Sequence, residues 1–115
     1  MSIAASIVIA VVALLHIYFL VLEMFLWDKP AGRRVFGLTA EFAAQSKTLA
    51  ANQGLYNGFL AAGLIWALAA HRGDVAMFFL GCVLIAGIYG GFTASRKILY
   101  VQALPAAVGL VLLFV

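Results

Sequence analysis

Glu23 is an acid inside an otherwise apolar run, and His16 stands seven residues before it. Further along, Ala50-Ala51-Asn52-Gln53-Gly54-Leu55-Tyr56-Asn57-Gly58-Phe59 places two asparagines, a glutamine and a tyrosine where a second apolar helix should begin. A carboxylate in such a setting can act as counter-charge to a cation or as a general base, and a histidine that titrates near neutrality can be its proton partner. Asn and Gln amides both donate and accept, so they suit a carboxylate or the polar end of a ligand.

The elements that must carry these groups follow from composition. The chain has 115 residues, 67% of them hydrophobic, and a mean hydropathy of +1.17. Soluble domains hold about 45–50% apolar residues, so the expected class is an all-α integral membrane protein. Apolar runs recur at lengths that cross ~30 Å of hydrocarbon. They predict a four-transmembrane-helix bundle forming a single membrane domain over residues 1–115, with helices at about 2–26, 49–70, 75–93 and 98–115. The first run lacks a basic leader and is too long for a signal-peptide core, so it reads as an uncleaved span.

Between the first two runs, Trp27-Asp28-Lys29-Pro30 supplies an interfacial aromatic, charges and a helix-discouraging proline. Thr39 is a candidate N-cap for a helix beginning Ala40-Glu41-Phe42. That helix either lies at the interface or extends the second span into water. Gly87 and Gly91, like Gly54 and Gly58, have the four-residue spacing that lets helix backbones approach, and Pro105 marks a kink in the last span.

Seven basic and four acidic residues leave a net charge of +3, with the basic residues in short loops. Lys29, Arg33, Arg34 and Lys47 precede the second span, Arg96 and Lys97 precede the fourth, and only Arg72 lies between the second and third. This bias puts both termini outside and loops 27–48 and 94–97 in the cytoplasm, in a bacterial inner membrane. It does not resemble a nucleic-acid footprint. Cys82 stands alone, which excludes an intrachain disulfide, and no His or Cys spacing suggests a metal site.

With that orientation, the polar residues gather at the cytoplasmic ends. Glu23 is one turn inside; Asn52, Gln53, Tyr56 and Asn57 occupy the first turns of the second span; Tyr89 and Gln102 lie at matching depth, with His16 deepest. Antiparallel first and second helices would set Glu23 beside Asn52 and Gln53, and Tyr18 beside Asn57. The candidate ligand-binding residues are thus Glu23, Asn52, Gln53, Asn57, His16, Tyr56, Tyr89 and Gln102.

Four blocks resemble a bacterial family of small four-helix membrane proteins known as domain of unknown function 1304. They are His16-Ile-Tyr-Phe-Leu-Val-Leu-Glu23-Met-Phe-Leu-Trp27, Arg34-Val-Phe-Gly-Leu-Thr39-Ala-Glu41-Phe, Leu49-Ala-Ala-Asn52-Gln53-Gly-Leu-Tyr56-Asn57-Gly58-Phe and Gly87-Ile-Tyr-Gly-Gly91. The resemblance implies a fold and no activity.

Three functions therefore compete. The favoured one is a cytoplasm-facing polar pocket for an amphipathic or lipid-like small molecule, as a binder or an enzyme. The second is a proton-coupled exporter of cations using Glu23. It is disfavoured by the apolar outer half of the helices and by the single orientation that the basic bias imposes. The third is an accessory protein whose amides clamp helices together. Homo-oligomerisation suits all three.

Overall fold

A computed structural model describes every residue from Met1 to Val115. The chain is all-α, without strands: α1 is Ile3–Phe25, α2 Pro30–Phe36, α3 Ala40–Ala69 and α4 Gly73–Thr93. A π-helical turn, Leu99–Ala103, then leads into α5, Leu104–Leu113.

Two helices, α1 and α4, are long and apolar enough to cross a membrane. At 1.5 Å per residue they measure about 35 Å and 31 Å, against ~30 Å of hydrocarbon. The 30 residues of α3 are ample in length, about 45 Å, but Glu41, Lys47 and the amide cluster dilute its apolar character. The apolar stretch Leu99–Leu113 is shorter than a full span.

Contacts divide the chain into two compact units, residues 15–59 and residues 1–14 with 60–115. Helices α1 and α3 contribute to both. In the first unit, Pro30 opens α2 at its first position, where a missing N–H costs nothing and the fixed φ suits a helix. A residue expected to stop helix thus starts one. Gly37 closes α2 with φ 65°, a left-handed conformation that favours glycine. Thr39 then caps α3, its Oγ1 accepting from the Phe42 N–H at 3.1 Å. The segment after Thr39 runs on as one helix with the second apolar run.

In that unit the buried residues of α3 are Ala43, Ala50, Gly54 and Asn57. They share one side of the helix, the side that meets α1. A Cβ at Gly54 would come within 2.6 Å of the Met24 side chain, and one at Gly58 within 2.7 Å of Leu20. The Gly54–Gly58 spacing is therefore a real close-approach seam. Trp27 stacks on Phe36 with ring centroids 4.9 Å apart, its Nε1–H donates to Ser46 Oγ at 3.0 Å, and Lys47 Nζ lies 3.1 Å from Asp28 Oδ2.

The second unit has the larger apolar core: Ile9, Val12 and Ala13 of α1, Leu64 and Ala67 of α3, Val75, Ala76, Leu80 and Val83 of α4, and Ala106 of α5. Helix α4 packs along the π turn and α5. At Gly87 an added Cβ would lie 2.6 Å from the Ala103 nitrogen, so α4 touches the backbone of the π turn there. Pro105 has no N–H to continue an α ladder, and the Leu104 N–H bonds instead to the Leu99 carbonyl five residues back. The kink expected at Pro105 takes the form of this π turn before it. Between α3 and α4, His71 adopts φ 52°. The Arg72 N–H then reaches the Ala67 carbonyl at 2.9 Å and the His71 N–H reaches Leu68 at 3.3 Å, the pattern of a Schellman cap.

Candidate functional site

The last turns of α1 and the middle of α3 form the site. Asn57 Nδ2 donates a hydrogen bond to Glu23 Oε1. Asn57 is buried at 6% exposure and Glu23 is partly buried. The approach of the two helices at Gly54, whose Cβ position lies 3.0 Å from Glu23 Cβ, brings the acid within reach of the amide. The two ion pairs of the chain are Lys47–Asp28 and Arg72–Asp74. No basic side chain is therefore paired with Glu23.

The other candidates on α3 face outward. Asn52, Gln53 and Tyr56 are exposed, and Tyr56 stacks edge-on with Phe59. Glu23 thus meets the Gly54 and Asn57 side of α3, and not the amides of Asn52 and Gln53 as the sequence suggested. The small residues decide this, because only their side of α3 lets the backbones close together. Tyr18 is also exposed, at 49%. His16 is fully buried, with Phe19 edge-on to its ring at 5.5 Å. Tyr89 and Gln102 belong to the other unit, Tyr89 exposed and Gln102 partly buried.

Two features escaped the sequence reading. Helix α2 and the Trp27, Ser46, Asp28 and Lys47 contacts at its base lay inside what read as a connecting loop. The Trp27–Ser46 bond spans nineteen positions, and no local pattern signals it. No group of His, Cys, Asp or Glu side chains converges closely enough to hold a metal ion.

A helical chain with two apolar helices of membrane-crossing length, and an acid–amide pair where one of them meets its neighbour, defines the class. The chain belongs to the family described as "Protein of unknown function (DUF1304)", which matches residues 10–114. It is also similar to "Uncharacterized protein YpaA" of Lactococcus lactis subsp. lactis (strain IL1403), 31% identical over 115 residues, 96% of this chain and 97% of the relative. No solved structure matches.

Proposed function

We propose that the protein is a bacterial inner-membrane protein that binds an amphipathic small molecule at the Glu23–Asn57 pair, with a cationic or hydrogen-bonding head meeting the acid and an apolar tail along the helices. In this reading α1, the apolar part of α3, α4 and the final helical segment all cross the membrane as one domain. Both termini face outward and the loops before α3 and after α4 face the cytoplasm. One observation carries the proposal. Glu23 sits in an apolar helix with an amide for a partner and no cation. A carboxylate within hydrocarbon costs ~2.5 kcal/mol or more, and a single neutral donor compensates only part of that. A ligand's ammonium or N–H group supplies the rest.

A second reading, an interhelical clamp, is favoured by the tight packing at Gly54. Native mass spectrometry of the protein in mild detergent separates the two. The expected result is a small molecule carried by wild type and lost from both Glu23→Gln and Asn57→Ala. If nothing co-purifies and the variants differ only in melting temperature, the clamp reading replaces this one.

A further inference from the structure

The base of unit 15–59 holds charge that the protein itself does not neutralise. Lys29, Arg33, Arg34 and Lys47 gather there, and only Lys47 has an acidic partner, Asp28. The other acids of this unit are Glu23, bonded to Asn57, and Glu41, which forms no ion pair. Arg33 and Arg34 therefore stand without a counter-ion, and Lys29 shares the single charge of Asp28 with Lys47.

They also stand on a seated element. Gly32 is buried against the backbone of Leu26 and Trp27, where a Cβ would collide with the Leu26 carbonyl, and Phe36 stacks on Trp27. These contacts hold α2 against the end of α1. Arg33 Nε is buried with no hydrogen-bond acceptor, in a side chain that is otherwise partly exposed. A guanidinium stays charged at any working pH, so an unmatched N–H on it is costly and calls for an oxygen acceptor. One turn on from Arg33, Phe36 is exposed at 37%, and Val35, on the other side of α2, at 44%.

Uncompensated cations, a partly exposed arginine whose guanidinium lacks an acceptor within the protein, and exposed apolar side chains immediately after a helix of membrane-crossing length fit one ligand chemistry. We propose that Arg33, with Lys29 and Arg34, holds the phosphate of an anionic phospholipid headgroup, and that Val35 and Phe36 lie against its acyl region. Planar guanidinium groups bind phosphate oxygens in a bidentate manner. Each basic residue near an anionic lipid surface contributes about 1 kcal/mol. The apolar neighbours favour a lipid over free phosphate, which would gain nothing from them. The inference rests on α1 lying in a membrane but is independent of any ligand at Glu23.

The test is lipid retention by the delipidated full-length protein, titrated with phosphatidylglycerol, phosphatidylcholine or inorganic phosphate and read by native mass spectrometry and melting temperature. Phosphatidylglycerol is expected to stay bound and raise the melting temperature, while phosphatidylcholine and inorganic phosphate do neither. Arg34→Gln should weaken retention about fivefold, the loss of one charge near the headgroup. Arg33→Lys keeps the charge but lacks Nε, and should also retain less than wild type. Glu23→Gln and Lys97→Gln should bind phosphatidylglycerol as wild type does, so a failure of the Glu23 site leaves this result untouched. Equal retention of both lipids, equal stabilisation by inorganic phosphate, or undiminished binding by Arg33→Lys would overturn the assignment.

Discussion

Asp28 and Lys47 show how single residues set the behaviour of the loop they anchor. The Lys47 ammonium, hydrogen-bonded to Asp28, holds that carboxyl below the usual carboxylate range. A carboxyl whose pKa is lower folded than unfolded stabilises the fold above its ordinary value of about 3.9. That contribution is lost as pH falls through the lowered folded value. Wild type should therefore melt higher than Asp28→Asn at pH 7, with the gap closing below about pH 4. A thermal unfolding series in detergent measures this, and a gap that persisted at low pH would mean that packing, not charge, carries the Asp28 contact. Glu23 teaches a different lesson at the same scale. An acid in an apolar helix is visible in any reading of the sequence, but which of four nearby polar residues meets it is not. Asn57 was one of those candidates, and only the close approach at Gly54 selects it.

At the scale of elements, glycines decide how the helices meet. Gly87 lies against the backbone of the π turn, whereas Gly81 has nothing within 4 Å of its Cβ position. Both belong to α4 and look alike in sequence. Gly87→Val should destabilise by about 1–3 kcal/mol or more, because backbone cannot move aside as a flexible side chain would. Gly81→Ala should be neutral or stabilising by up to about 1 kcal/mol, the helix-propensity difference. Chemical or thermal unfolding of the two variants distinguishes them, and equal effects would argue against the α4 contact with the π turn. That turn and α2 were illegible for a common reason. Pro105 announces a disturbed ladder without saying whether the chain kinks or widens, and Pro30 equally suits the end of one helix or the start of another.

For the whole molecule, orientation is the property with the widest consequence. Six of seven basic residues fall in the segments 29–47 and 96–97, and one, Arg72, falls between α3 and α4. Arg72 is also held locally, 2.7 Å from Asp74 and over the Trp66 ring. Under the four-span proposal, alkaline phosphatase fused after Val115 should be active, and a fluorescent protein fused there should be dark. The opposite pattern would put the C-terminus in the cytoplasm and overturn the proposed orientation.

Composition and apolar run length settled that the chain is helical and that α1 and α4 can cross a bilayer, because both properties are sums over residues and need no contacts. Thr39 as the cap of α3 was equally legible, since capping acts over three residues. Only the tertiary structure decided the rotation of α3 that turns Asn57 toward Glu23 and leaves Asn52, Gln53 and Tyr56 exposed. It alone showed Trp27, Asp28, Ser46 and Lys47 joined at the base of the α1–α3 pair. Those outcomes depend on how near two backbones can come, and that distance is set by residues far apart in the chain.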